Sequence, residues 1–412
     1  MSIFRRIILT SILFQVGCPK PPVPPTPGYK CIADPSWITA PQQPNEIAKS
    51  ETFCDFYQFS WQWFLAQTSL STTNSQERVF ERQNVYLFDG TKNQCSLEDN
   101  IGRSVASSSM QQRVVKSDQV EDIQADRNAM YDRNGNVLYY NIWYADQNCM
   151  ATEKGFDSGT MEIKGSWMKL EAPSLDYFWI ETQNENTESV YYGLVGFHMS
   201  IFTKNHPEMI WATWEHKKNA PNCNGTSAGT DWNFTSEKAS QCLIDNKSVD
   251  ACSEFNFNTP TQYTGHPPTQ STPNNICRVH PYGNESGESV NGNDNADNLE
   301  SIIELNEQLV GKDGFITSLS DKNPMKVWSN YEMIGGLWTK DGQASGNLPV
   351  PHKGGEPDPE SPQRGSLYLA NTSMETFEQS ENSYVPNCFG CHQYNPEQPL
   401  NVSHIQQNLI IE

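Results

Sequence analysis

The chain has too few basic residues to make a nucleic-acid-binding protein. Its 412 residues include 28 lysines and arginines against 49 aspartates and glutamates, a formal net charge of −21. A surface of this charge repels DNA, RNA and anionic membranes. Downstream of the N-terminus, no segment approaches the roughly 20 apolar residues that a transmembrane helix needs. We therefore expect no nucleic-acid partner, and membrane attachment only through a lipid anchor.

The common catalytic motifs are also missing. Glycines at 311–314 and 335–336 lack the P-loop pattern, and the His-Pro dipeptides lack the spacing of metal ligands. Residues 225–229 match Gly-x-Ser-x-Gly in letters, but a nucleophile at Ser227 would need a strand before it and a helix after it. The surrounding sequence is polar and predicts neither element. No catalytic residue is predicted from these motifs, and whether the chain is an enzyme stays open.

The N-terminus has the pattern of a secretory signal peptide. Two arginines precede an apolar stretch from Ile7 to Val16, which is too short to cross a bilayer as a folded helix. Val16-Gly-Cys18 resembles the end of a bacterial lipobox, whose cysteine is acylated, although Gln15 stands where an aliphatic residue is usual. We predict a signal peptide at 1–17, a lipid on Cys18 and export to the periplasm or cell envelope. Ordinary signal cleavage without a lipid is the alternative.

Hydrophobic patterning predicts an α+β, β-rich fold with a few helices over residues 31–412, following a proline-rich stalk at 18–30. Aromatic residues at helical spacing predict a buried helix near 56–66, and apolar spacing predicts an amphipathic helix near 299–310. Between 217 and 298 the chain turns polar, which predicts an insertion in a single domain. Segments rich in β-branched and aromatic residues predict strands at 85–88, 137–144, 162–170, 189–201 and 209–216.

Eleven cysteines in an exported chain indicate disulfides, and the odd number leaves at least one for other chemistry. Setting aside Cys18 and the closely spaced Cys388 and Cys391 leaves eight. We predict that these eight are mostly bridged and that at least one bridge pins the insertion at 217–298. The sequence does not give their pairing. The eight are Cys31, Cys54, Cys95, Cys149, Cys223, Cys242, Cys252 and Cys277.

The segment Cys388-Phe-Gly-Cys-His392 has the spacing of a haem c attachment site. Two thiols three residues apart can each bond one vinyl group, and the adjacent histidine ligates the iron. Random placement of the 11 cysteines and 8 histidines gives about 0.006 such patterns. A redox disulfide or half of a zinc site would need a thioredoxin-like context or a second ligand pair, and neither is visible. We predict one covalent haem c, held by Cys388 and Cys391, with His392 as proximal ligand.

The position of this motif decides where the rest of the site must come from. In small soluble cytochromes c the motif opens an all-α domain whose later methionine supplies the sixth ligand, whereas here the chain ends soon after it. The upstream fold must therefore cover the haem. Candidate distal ligands are His198, Met374 and His216, with His404 or an open site as alternatives. Phe197, Trp211 and Trp214 are expected to bury the ring.

Several segments upstream of the motif occur together in a fixed order. They are 59–66, 132–140, 162–167, 193–198, 210–216 and Leu369-Ala-Asn-Thr-Ser-Met-Glu-Thr-Phe377. With the haem motif they resemble a little-characterised family of exported bacterial monohaem c-type cytochromes, over about residues 50 to 395. The resemblance implies haem binding and electron transfer and supplies no substrate. The chain departs from the family pattern at Gln67-Thr-Ser69, where a Leu-Asn-Trp-Pro-like ending is more usual.

Two functions remain open at this point. The leading one is an electron carrier of the cell envelope, with both axial positions of the iron filled by protein and a redox protein or small electron donor or acceptor as partner. The alternative is an enzyme of the peroxide- or small-oxide-reducing type, with an open distal site. Chain length favours the enzyme slightly, because a bare carrier needs fewer residues. The lack of an obvious distal acid/base pair favours the carrier, and a sensor or scaffold is a third, weaker reading.

Overall fold

The computed structural model describes residues 28–86, 93–95, 115–116, 129–144, 155–183, 188–260, 273–283, 289–349, 358–379, 387–405 and 409–411. The predicted signal peptide and Cys18 lie outside these ranges. The chain divides into two units, Met1–Lys30 and Cys31–Glu412, and only the last three residues of the first unit are described. None of the helices in the described ranges has the length and apolar character needed to cross a membrane.

The described chain is built from short helices and a large antiparallel sheet. The helices are α1 Ser36–Thr39, α2 Phe53–Thr68, α3 Glu237–Asn246, α4 Asn295–Val310 and α5 Cys388–Cys391. The strands are β1 Asn84–Tyr86, β2 Asn93–Cys95, β3 Val115–Lys116, β4 Tyr139–Tyr144, β5 Met161–Leu170, β6 Trp179–Gln183, β7 Ser189–Ile201, β8 Ile210–His216, β9 Tyr331–Thr339, β10 Gln363–Gly365 and β11 Leu409–Ile411. The prediction of an α+β, β-rich fold is therefore confirmed, and the fold is not a small all-α domain.

Seven strands follow one another across the main sheet in the order β1-β4-β5-β7-β8-β9-β10, all antiparallel. β3 also pairs with β4, and β6 with β7, while β2 and β11 form a separate parallel pair. The longest strands, β5 and β7, lie at the centre. Strand pairing places Lys164 of β5 opposite His198 of β7, and His198 opposite Thr213 of β8. Side chains directly opposite one another point to the same face, so these three share one face of the sheet.

Helices α2 and α4 cover the other face. α2 begins at a capping box, in which the Thr52 and Asp55 side chains each accept a hydrogen bond from the other residue's backbone N–H. α4 begins at Asp294, whose carboxylate accepts hydrogen bonds from backbone N–H groups of the first turn. α2 then buries an almost continuous aromatic surface against the sheet. Phe64 stacks on Trp214 with ring centroids 4.5 Å apart. This helix-side layer is the larger core of the protein.

The polar insertion is held by disulfides, as predicted. Cys223–Cys277 and Cys242–Cys252 both lie within it, and Cys31–Cys54 ties the start of the domain to α2. Cys149 and the side chain of Cys95 lie outside the described residues. α4 begins at Asn295, so the insertion ends slightly before the predicted residue 298.

Candidate haem-attachment site

The Cys-x-x-Cys-His segment forms a single helical turn, α5. Asn387 caps it, because its side-chain oxygen accepts a hydrogen bond from the Phe389 N–H at 3.1 Å. The same amide donates to Gln363 Oε1 at 2.8 Å, which ties the turn to β10. At the other end, the His392 N–H donates to the Cys388 carbonyl at 2.8 Å. The sequence alone thus brings both thiols onto one turn, and the cap fixes that turn against the sheet.

Cys388 and Cys391 differ from the other described cysteine side chains, because they are the two that form no disulfide. Cys388 is half-buried and Cys391 is exposed. Burial raises the pKa of the Cys388 thiol far above its usual value, and the nearby carboxylate of Glu375 adds to the effect. Partial burial and the carboxylates of Glu378 and Glu375 also raise the pKa of the more exposed Cys391 thiol. Both sulfurs are therefore protonated, uncharged thiols at neutral pH.

His392 is held in the orientation that a metal ligand needs. Its Nδ1 lies 3.0 Å from the Val402 carbonyl oxygen. A carbonyl only accepts, so Nδ1 carries the proton and the lone pair is on Nε2, which makes no hydrogen bond to any described residue. Burial, reinforced by neighbouring His404, lowers the pKa of His392 to about 3, so the ring is neutral at physiological pH.

Two aromatic neighbours enclose the His392 ring. The Trp211 ring lies 4.4 Å from it, centroid to centroid, and the exposed His404 ring stacks on it at 4.1 Å. His404 Nε2 is 3.1 Å from the Cys391 carbonyl. Since a carbonyl can only accept, this nitrogen carries a proton and has no lone pair for a metal. His404 therefore supports the His392 ring, and it could ligate a metal only through its Nδ1.

These donors suit a covalently attached haem. Two unbridged thiols, one turn apart, precede a neutral imidazole with its Nε2 lone pair uncommitted, and a carbonyl behind the ring supplies the usual outer support of a metal-bound histidine. Within the described ranges, no three His, Cys, Asp or Glu side chains converge closely enough to chelate one metal ion. The residues present therefore fit haem c.

A charged cluster lies on the sheet face next to the motif. His198 Nε2 is 3.3 Å from one Glu375 oxygen, and Lys164 Nζ is 3.7 Å from the other. All three side chains are only partly exposed. Burial by itself would raise the pKa of Glu375, but the charges of His198 and Lys164 outweigh it and lower this pKa to about 2. Lys164 also interacts electrostatically with both motif thiols, so the cluster borders the predicted haem site.

The segment 369–377 places Glu375 in this cluster by packing flat on the sheet. The Asn371 amide donates to Thr213 Oγ1 at 2.8 Å, and the Thr372 N–H donates to Glu215 at 2.7 Å. The segment comes so close at Gly196 that a Cβ there would lie 2.2 Å from Ser373 Oγ. A larger residue here would displace the Ser373 side chain, so Gly196 lets the segment lie close to β7.

The three candidate distal ligands are placed very differently. His198 lies on the same sheet face as the motif. His216 lies on the helix side, where Nε2 contacts the Asp176 carbonyl at 2.9 Å and Nδ1 accepts from the Lys218 N–H at 3.2 Å. Met374 is 1% exposed and packs among the apolar residues of a separate cluster that includes Tyr140 and Val195. The structure therefore brings His198 towards the site and leaves the other two in structural surroundings.

The expected aromatic cover is also divided between the two faces. Trp211 contacts His392, as the sequence suggested. Phe197 and Trp214 instead pack with Phe64 on the helix side, so they do not cover the haem site. The physical reason is strand alternation, because Phe197 and His198 are neighbours in β7 and must point to opposite faces.

Sequence reasoning missed two parts of this site. Nothing in the sequence indicates a role for Val402, whose backbone carbonyl orients the His392 ring. Lys164 and Glu375 lie in segments that the sequence distinguishes, but the sequence does not show that they are in contact. Their ion pair depends on the pairing of β5 with β7 and on contacts between residues far apart in the chain. No family model, curated protein or solved structure matches this chain.

Proposed function

We propose that this chain is an exported monohaem c-type cytochrome that transfers electrons at the cell envelope. The observation that carries the proposal is the pairing of two unbridged thiols on one turn with a histidine whose Nδ1 is committed to a backbone carbonyl. Other uses of a Cys-x-x-Cys pair do not call for that histidine arrangement. The partner would be a redox protein or a small electron donor or acceptor.

When bound, haem c would supply an iron that cycles between Fe(III) and Fe(II). Cys388 and Cys391 would hold the group through thioether bonds, and His392 Nε2 would ligate the iron. Val402 would keep the imidazole turned towards the metal. Around them, Trp211, Phe389 and Tyr394 belong to one buried apolar cluster that would exclude water from the motif side.

His198 is the distal ligand that the geometry favours for a carrier. It lies beside the motif, and its buried Nε2 forms no well-aligned hydrogen bond although the Glu375 carboxylate is 3.3 Å away. To ligate a metal through Nε2, the imidazole would have to turn away from Glu375, whose carboxylate would keep Lys164 as a partner. In a carrier, His392 and His198 would both hold the iron.

The same pair supports the second candidate function. An imidazole beside a carboxylate is an acid/base arrangement, which the sequence alone did not reveal. If His198 keeps Glu375 as its partner, the distal position stays open and the pair can exchange protons with a small bound oxide. A peroxide- or small-oxide-reducing enzyme is therefore the alternative.

Attachment is tested by expression with a bacterial cytochrome c maturation system, followed by denaturing electrophoresis and the pyridine haemochrome spectrum. Replacing Cys388 and Cys391 together by alanine should abolish covalent haem. A matched control is the double variant C242A/C252A, which removes another close cysteine pair and should retain it. Covalent haem on C388A/C391A would overturn the proposal.

The axial ligands decide between the two functions. A carrier gives a low-spin spectrum in the oxidised state and reacts slowly with cyanide. A high-spin spectrum with rapid binding of cyanide or peroxide would reject the carrier and select the enzyme. The spin state and covalent attachment are measured by separate experiments. The carrier function can therefore be rejected while haem attachment stands.

A further inference from the structure

A cleft lined by both polar and apolar side chains lies away from the haem motif, where the C-terminal end of α2 meets the segment 41–43 and the loop from 69 to 83. Its volume is about 400 Å³, within the roughly 300–1,000 Å³ range of small-molecule sites. None of its lining residues belongs to the haem-attachment site. Polar lining residues are Gln42, Gln43, Gln67, Ser69, Ser71, Thr72, Arg82 and Gln83.

Gln67 is the residue that marks this cleft as a site. Its side chain is fully buried, yet neither Oε1 nor Nε2 has a hydrogen-bond partner among the described residues. Its neighbours on α2 behave differently, since Thr68 Oγ1 bonds to the Phe64 carbonyl and Gln62 Nε2 bonds to the Gln58 carbonyl. Buried amides are normally satisfied, because an unpaired donor or acceptor is destabilising. Because Gln67 lines the cleft, a rotation of its side chain would bring these two atoms to a group bound there, which would supply the missing partners.

The side chains that line the cleft indicate the chemistry of a ligand that would fit it. A carboxamide offers a donor and an acceptor side by side, and each hydroxyl in the cleft can also do both. A carboxylate ligand only accepts and an ammonium only donates, so each would leave half of Gln67 unpaired. The one charged lining residue, Arg82, already donates to the hydroxyls of Ser71 and Thr73. Hydroxyl groups, which both donate and accept, are the best match to this surface.

We propose that this cleft binds a small polyhydroxylated ligand, a monosaccharide or polyol, through the Gln67 carboxamide. One hydroxyl of the ligand accepts from Nε2 and a second donates to Oε1. The exposed side chains of Gln42 and Gln43 lie at the opening and add further bonds to the outer hydroxyls. The proposal is independent of haem binding, because it uses no residue of the motif.

The test uses the purified chain, with or without haem, and saturation-transfer NMR with D-glucose, D-mannose, N-acetyl-D-glucosamine and glycerol at 1–20 mM. At least one of the four should give a saturable signal with the wild type. Gln67→Leu should weaken its binding at least tenfold, and Gln43→Ala, at an exposed position, should weaken it several-fold. Gln62→Leu, on the same helix but outside the cleft lining, is the matched control and should bind as the wild type does.

Folding of each variant is checked by its far-UV circular dichroism spectrum and its melting temperature. Since Gln67→Leu removes an unsatisfied buried amide, its melting temperature should not fall, which separates lost binding from lost structure. Equal binding by wild type and Gln67→Leu would overturn the proposal. So would the absence of any signal, or a crystal soaked in the sugars that shows water alone on Oε1 and Nε2.

Discussion

His198 decides whether the second axial ligand of the proposed haem iron comes from the protein. It is the candidate that shares the sheet face of the motif, and it has a carboxylate neighbour whose low pKa keeps that neighbour ionised at neutral pH. Ligation of iron and acid/base exchange are both open to such an imidazole. For ligation the His198 Nε2 would face the iron, and for acid/base exchange it would face the Glu375 carboxylate.

Substitution of His198 distinguishes these roles. In the carrier, His198→Ala should convert a low-spin oxidised spectrum to high-spin. His198→Met should restore a low-spin spectrum with a higher reduction potential, because a methionine ligand raises it. Met374→Ala is the control that should remain low-spin. A low-spin spectrum in His198→Ala would assign the distal position to another side chain.

His216 has a different role, in stability rather than ligation. Burial lowers its pKa from 6.5 to about 4, and both ring nitrogens are engaged. The unfolded chain therefore binds more protons than the folded one between these values, so stability rises with pH. The contribution is complete above about pH 6.5 and is lost as pH falls towards 4.

We expect this one residue to account for up to about 3 kcal/mol of unfolding free energy lost between pH 7 and pH 4. Urea unfolding at several pH values checks it. In His216→Gln, which keeps a donor and an acceptor but does not titrate here, the slope over this window should be smaller. An unchanged slope would place the acid sensitivity of this window in other groups. Glu375 is not one of them, because its lowered pKa adds stability that is lost mainly below about pH 4.5.

At the scale of elements, the parts predictable from the sequence are those specified locally. α2 and α4 follow from apolar spacing and from caps at Thr52 and Asp294, which lie within a few residues of what they cap. Strand positions follow from composition in the same way. What the sequence does not specify is pairing, since contacts such as Lys164 with Glu375 join segments over two hundred residues apart. The helical turn at 388–391 is likewise local to its sequence, whereas the residues that surround it come from distant segments.

The insertion offers a test of how disulfides support a polar element. Cys223–Cys277 closes a loop of 54 residues and Cys242–Cys252 a loop of 10. Loop-closure entropy gives about 4 kcal/mol for the longer loop and about 3 kcal/mol for the shorter. C223A/C277A should therefore unfold at lower urea than C242A/C252A. Equal loss in both would mean that the insertion is held mainly by its other contacts, such as the Arg278–Glu215 ion pair.

For the whole molecule, we propose that a lipid on Cys18 attaches it to the cell envelope. Mass spectrometry of protein from a bacterial host should show a lipid on Cys18, and Cys18→Ser should move it from the detergent phase to the aqueous phase. Haem content should not change, because the attachment residues are all at 388–392. Release of an unmodified wild-type chain would favour ordinary signal cleavage.

Trp211, packed against His392, has an optical consequence. The chain carries 11 tryptophans, and those at 61, 143, 167, 214 and 328 are fully buried in the core layers. A haem held at His392 would accept excitation energy from these indoles, so the native holoprotein should emit little light on excitation at 295 nm. Unfolding should raise the emission several-fold, and C388A/C391A should be bright while still folded. Loading and unfolding could then both be followed by fluorescence in the unlabelled protein.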